Sequence, residues 1–266
     1  VIDTGLFVVI STIDGARRQD SCALAAGTVF AKALAKLSAG NSNMTLALLE
    51  RTLGDLACSL PGATRVLRQH KLDFCCAGGL TLGEAAMRQA LDAERIADEL
   101  AALDAQSGDP VDWRQTTHGA LIDHLLARYH ERHREQFPEL IRLAARVEQV
   151  HGERSECPRG LAEHLWQMQQ ELESHMLKEE KILFPLLRRD IGSPQASGPI
   201  SVMRLEHDQH GEALARLAEL TNNITPPAHA CNTWRALYRG LDELRDDLMQ
   251  HIHLENNILF PCAVRG

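Results

Sequence analysis

Apolar and polar positions along the chain recur with the period of an α-helix, and no stretch of useful length alternates as a strand would. Residues 46–59 carry leucines at helical spacing until Pro61 interrupts them. Residues 64–70 predict a short second helix, followed by the glycine-rich turn Lys71-Leu-Asp-Phe-Cys-Cys-Ala-Gly-Gly79. Thr81-Leu-Gly-Glu84 has the form of a capping box opening a third helix, and Asp92 is placed to cap a fourth through Leu103. Gln106-Ser-Gly-Asp-Pro110 reads as a linker. Beyond it the pattern predicts four long helices, at about 117–151, 159–189, 200–220 and 231–262, with Pro138 kinking the first rather than ending it. The expected fold is all-α, with a small helical domain over 45–104 and a four-helix bundle over 111–266. Residues 1–43 show no comparable pattern and lack the charged lead of a signal peptide. They read as an extension, with translated sequence upstream of a start at Met44 favoured over a strand-like or helical arm.

One stretch occurs twice. His175-Met-Leu-Lys-Glu179-Glu-Lys-Ile-Leu-Phe-Pro185 and His251-Ile-His-Leu-Glu255-Asn-Asn-Ile-Leu-Phe-Pro261 share the frame H-x-x-x-E-x-x-I-L-F-P. A second pair precedes them, His130-Glu-Arg-His133-Arg-Glu135 and His207-Asp-Gln-His210-Gly-Glu212. The offsets nearly agree, 77 residues from His130 to His207 and 76 from His175 to His251. The chain therefore contains an internal duplication of the bundle.

Histidine and glutamate at i, i+4 share one helix face. Neutral imidazole and carboxylate suit iron, manganese or zinc, and a carboxylate can bridge two metals. Two such helices facing each other supply two imidazoles and two bridging carboxylates, and the partner helices add an imidazole each. The candidate ligands are His130, His175, Glu179, His207, His251 and Glu255. Buried histidines satisfied within the core are the bland alternative, but it leaves the repeated Ile-Leu-Phe-Pro block unexplained. His133 and His210 match across the repeat too, and spacing alone does not choose between them and His130/His207; they are read as supporting or surface groups. On an uninterrupted helix His151 lies about 31 Å of rise from His130, which makes it a helix-end residue. His70, His118, His124, His164, His229 and His253 are read as solvent-facing or capping groups.

Composition narrows the picture. At 266 residues, 44% hydrophobic and 24% charged, the chain has the make-up of a soluble globular protein. Its net charge of -8 disfavours nonspecific nucleic-acid binding, and no run approaches a bilayer span. Seven cysteines form no recurring spacing, so reduced thiols in a bacterial-type cytoplasm are expected. Cys75 and Cys76 are adjacent, and the glycines that follow imply an exposed, flexible backbone suited to thiol chemistry or metal transfer. A pair of small hydrophobes in a turn is the alternative. Cys22, Cys58, Cys157, Cys231 and Cys262 receive no role.

From about Thr45 to Gly266 the chain resembles the bacterial repair-of-iron-centres proteins, which join a small cysteine-bearing domain to a hemerythrin-like bundle. The resemblance rests on Asp73-Phe-Cys-Cys-Ala-Gly-Gly79, Arg128-Tyr-His-Glu-Arg-His-Arg-Glu135, Ser174-His-Met-Leu-Lys-Glu-Glu180, Gly198-Pro-Ile-Ser-Val-Met203 and His251-Ile-His-Leu-Glu-Asn-Asn257. It departs from the family at Ala77, where a glycine usually follows the cysteines directly, and over residues 1–43. The resemblance implies a non-haem di-iron centre on the six candidate ligands, with both glutamates bridging. It also implies iron–sulfur cluster repair after nitrosative or oxidative damage, by an iron-donating factor rather than a turnover enzyme. Damaged iron–sulfur proteins would be the partners, without nucleic acid or membrane, and assembly as a homodimer stays open. The alternatives are a module that binds or senses nitric oxide or dioxygen, and an oxidoreductase that consumes nitric oxide.

Overall fold

The computed structural model describes residues 45–103, 112–190 and 192–265. The expectations for residues 1–43 and for the linker at 106–110 lie outside the described residues. Among the described residues there is no strand, only an isolated bridge between Thr52 and Thr81. None of their helices is long and apolar enough to cross a membrane.

A helical turn at 45–49 precedes four short helices: α1 (Leu53–Ser59), α2 (Ala63–Gln69), α3 (Leu82–Arg88) and α4 (Ala93–Ala101). The single helix expected over 46–59 is broken at residues 50–52. The Thr52 hydroxyl accepts from the Asp55 N–H and starts α1 afresh. The same turn donates Leu53 N–H to Leu80 O at 2.9 Å and accepts Leu82 N–H at Arg51 O at 2.9 Å, so α1 and α3 begin as a clamped pair. The expected capping box is present at Thr81 and Glu84, and Asp92 caps α4.

The bundle consists of α5 (118–151), α6 (161–189), α7 (197–220) and α8 (232–265). α5 passes through Pro138 without ending and stops at His151. It packs along α6 and α8, and α6 packs along α7. The apolar interior falls into two clusters. One joins the short helices (Leu53, Leu56, Phe74) to the bundle through Phe137, Leu172, Leu217 and Leu248. The other holds Leu125, Leu183, Phe184, Met203, Leu259 and Phe260. His130, His175, Glu179, His207, His251 and Glu255 are among the buried polar groups.

The turn carrying Cys75 and Cys76 is fixed to α8 by two adjacent amides. Asn256 Nδ2 donates to Cys75 O at 3.0 Å, and Asn257 Nδ2 donates to Phe74 O at 3.1 Å. Glycines let the backbones approach this closely. A methyl group at Gly78 would stand 2.6 Å from Asn257 Oδ1 and 2.8 Å from Phe74 O, and one at Gly54 would stand 2.5 Å from the same amide oxygen. Gly78 is buried and serves close packing, contrary to the exposure expected from the sequence, whereas Gly79 is exposed as expected. Gly78→Ala is expected to destabilise the protein by about 1–3 kcal/mol, the usual range for overpacking, measured by chemical denaturation.

Candidate metal centre

Three bundle helices widen where they carry candidate ligands. α5 contains a π-helical segment at Leu125–His130, α6 one at Glu179–Leu183 and α8 one at Glu255–Leu259. In the last two, the N–H of Phe184 reaches back five residues to Glu179 O, and that of Phe260 to Glu255 O. The repeated block explains this local structure. Pro185 and Pro261 have no N–H, and a proline ring crowds the carbonyl four residues back, so the preceding turn opens to five-residue bonding. The wider turn brings the glutamate and the phenylalanine towards one face. Phe184 then lies against the His130 ring at 5.7 Å between centroids, and Phe260 stacks on His207 at 5.8 Å.

All six candidate ligands converge. His130, Glu179, His251 and Glu255 offer ligand atoms within 4.8 Å of one another, and so do His175, Glu179, His207 and Glu255. Both glutamates belong to both groups. Glu179 places one oxygen 3.4 Å from His130 Nε2 and the other 3.4 Å from His175 Nε2. Glu255 does the same with His207 Nε2 at 3.0 Å and His251 Nε2 at 3.3 Å. Each carboxylate thus spans the two groups. His175 Nε2 and His207 Nε2 face each other at 3.1 Å, an arrangement suited to two lone pairs aimed at one cation.

The donor atoms fit metal ions on an independent ground. Both oxygens of Glu179, both of Glu255, and Nε2 of His130 and His251 are buried without a hydrogen-bond partner among the described residues. Such groups are costly unless something else satisfies them, and a divalent cation does so for all at once. Three of the four distal nitrogens are held in the manner of metal-binding histidines. His130 Nδ1 is 2.9 Å from Glu180 Oε1, His175 Nδ1 is 2.9 Å from Glu206 Oε2, and His207 Nδ1 is 3.0 Å from Asn256 Oδ1. These contacts fix ring orientation and leave Nε2 as the donor towards the centre. Glu180 is also bound by Arg134 at 2.9 Å, and Glu206 by Lys178.

Electrostatics follows from burial. Desolvation, then the charge of Glu255, pushes the Glu179 carboxyl up to about 8. Burial also raises Glu255, but His251 and His207 outweigh it and hold that carboxyl well below the ordinary range. Without a cation the pair therefore retains a proton near neutrality. Burial drives His251 down to about 4 and His210 down to about 2. His133 is likewise lowered well below the ordinary imidazole value by burial and by His251.

His133 and His210 are buried rather than on the surface, and they flank the centre. His133 stacks on His251 at 5.4 Å, and His210 meets His175 edge-on at 5.1 Å. His151 sits at the far end of α5, with Nε2 3.2 Å from Cys231 Sγ. His253 corrects the sequence expectation. It is buried beneath the short helices, Nδ1 3.0 Å from Asn257 Nδ2 and Nε2 3.6 Å from Cys58 Sγ. Its position two residues after His251 hid this, because it faces the short helices instead of the bundle axis.

The cysteine turn also differs from expectation. Cys75 is buried, and its thiol is held well above the ordinary value by the Cys76 thiol, by burial and by Asp73. Asp73 Oδ1 accepts from the Cys75 and Cys76 backbone N–H groups and from Cys75 Sγ at 3.1 Å. Cys76 is half-buried and donates through Sγ to His207 O at 3.3 Å. Asp73, Cys75 and Cys76 form a third set of clustered ligand atoms, and Asp73 and Cys75 line a cavity of about 580 Å³. Asn256, which the sequence reading assigned no role, links Cys75 O to His207 Nδ1.

Comparison with known proteins agrees with this geometry. Residues 121–263 match the hemerythrin HHE cation binding domain, and residues 49–104 match a domain of unknown function (DUF542). An iron–sulfur cluster repair protein YtfE from Enterobacter sp. (strain 638) is 52% identical over 221 residues, covering 83% of this chain and 100% of that protein. A protein of the same name from Yersinia pseudotuberculosis serotype IB (strain PB1/+) is 53% identical over 216 residues, covering 81% of this chain and 97% of its own. The chain belongs to the family of YtfE iron–sulfur cluster repair proteins, whose bundle is a hemerythrin HHE cation-binding domain.

Proposed function

We propose that the protein holds two non-haem iron ions on His130, His175, Glu179, His207, His251 and Glu255, and gives iron to damaged iron–sulfur proteins in the cytoplasm. The observation that carries the reading is the pair of buried glutamates, each spanning both groups of histidines with its oxygens unsatisfied. Bound there, iron supplies a cargo held by nitrogen and oxygen donors, which grip Fe(II) less tightly than the sulfur donors of a cluster. Transfer then runs downhill. Iron–imidazole and iron–carboxylate bonds break, iron–sulfur bonds form in the client, and protons from client thiols pass to the vacated glutamate and histidine. The relatives' names support cluster repair, and the donor set supports iron; damage by nitric oxide or peroxide is the stress such clusters meet.

The division of labour we propose follows the chain. Residues 111–266 carry the iron, and residues 45–104 carry the thiols that pass it on. Cys75 is no free nucleophile in its buried, protonated state, but a metal ion displaces a thiol proton outright. Asp73, Cys75 and Cys76 thus form a relay beside His207, reached from the cavity of about 580 Å³.

Glu179→Leu or Glu255→Leu is expected to weaken iron binding by more than the about 10–100-fold typical for loss of a supporting partner, and to abolish magnetic coupling. His133→Ala is expected to leave iron content nearly unchanged. Metal analysis with Mössbauer spectroscopy checks both, and iron lost from His133→Ala but kept in His130→Ala would move the site by one helical turn.

The raised Glu179 carboxyl gives a pH dependence for metal-free protein. Its folded value lies above its unfolded one, so its contribution is fully present below the ordinary carboxyl range and is lost as pH rises through about 8. Metal-free protein should melt at a lower temperature at pH 9 than at pH 7. Metal-loaded protein, its bridges ionised throughout, should not.

The functional test uses ⁵⁷Fe-loaded protein and an iron-depleted dehydratase. Label in the restored cluster supports donation, and restored activity without label would favour removal of nitric oxide instead. Cys75→Ser/Cys76→Ser should load iron normally and transfer it more slowly.

A further inference from the structure

The duplication is incomplete in the contacts that steady the histidines. Glu180 and Asn256 each follow a bridging glutamate, and they hold His130 and His207 in matching fashion. Glu206 precedes His207 and holds His175 Nδ1. Its counterpart, the residue preceding His130, is Tyr129. Tyr129 does not repeat the contact. Its ring lies parallel to the His251 imidazole, 5.5 Å between centroids and 7° from coplanar. His251 Nδ1 is buried and meets no hydrogen-bond partner among the described residues. The His175/His207 pair is therefore anchored at both distal nitrogens, and the His130/His251 pair at one.

We propose that the two metal positions are unequal, and that the one between His130 and His251 releases its iron first, with Tyr129 the positioning residue that leaves His251 unanchored. The inference rests on the iron-holding reading above. An anchored distal nitrogen fixes the ring and raises the basicity of the coordinating one. A stacked phenol ring limits tilt but supplies no acceptor. Tyr129 also lines an open cavity of about 420 Å³, so the unanchored imidazole lies one ring away from an opening. Release is ligand exchange without change of oxidation state. The bonds from Fe(II) to His130 Nε2, His251 Nε2 and the one facing oxygen of each glutamate would break, donors of the acceptor would replace them, and Glu179 and Glu255 would stay on the second iron through their other oxygens.

The test is chelation from the full-length diferrous protein with excess ferrozine, followed by absorbance. Wild type should release iron in two phases of equal amplitude. Tyr129→Glu, which restores the counterpart of Glu206, should slow the fast phase by about 10–100-fold, and Tyr129→Gln should slow it less. Glu206→Leu should instead accelerate the slow phase. In ⁵⁷Fe Mössbauer spectra Tyr129→Glu should move one of two quadrupole doublets, which a merely destabilised fold would not do. A single phase in wild type would overturn the proposal. So would an unchanged fast phase in Tyr129→Glu or Tyr129→Gln that carries its full iron load. Two phases that respond as described, with no label reaching a depleted cluster, would keep the inequality and remove iron donation.

Discussion

Two carboxylates buried side by side are the constraint on which the structure depends. Glu179 and Glu255 are fully buried, and their oxygens have no hydrogen-bond donors among the described residues. Ionising both without a compensating charge would be prohibitive, and keeping a proton relieves only part of the cost. Four imidazoles converge on them, three steadied at Nδ1 by Glu180, Glu206 and Asn256. The bundle's apolar interior is divided to accommodate this layer, with a separate cluster on each side. Such an arrangement is sensible for a protein built around cations and wasteful for one that is not.

Much of this was legible in the chain. The repeated H-x-x-x-E frame and the histidine motif that precedes it pointed to six residues that the fold brings together, and helix-period patterning with capping signals at Thr81 and Asp92 gave the all-α architecture. What remained hidden depended on tertiary contact or on departures from regular helix. The π segments escaped period counting, although Pro185 and Pro261 were the signal for the two on α6 and α8. The break before Leu53 came from pairing with the turn at Leu80–Leu82, which nothing local announces. His253 is buried because the short helices cover α8, and Gly78 because Asn257 presses against it.

The cysteine turn shows how the two parts of the chain cooperate. Asn256 stands between the Cys75 carbonyl and His207, and Cys76 rests on the His207 carbonyl. A change in how His207 is held therefore reaches the thiols through two short contacts. The Cys76 thiol, burial and Asp73 together keep the Cys75 thiol protonated.

The proposed site would hold two metals between the four histidines, with both glutamates bridging. Anomalous diffraction at the iron absorption edge, from crystals of the purified protein, tests it most directly. Two iron peaks sharing Glu179 and Glu255 are expected, one beside His130 and His251 and the other beside His175 and His207. A single peak in that layer, or iron found only on Asp73, Cys75 and Cys76, would contradict it.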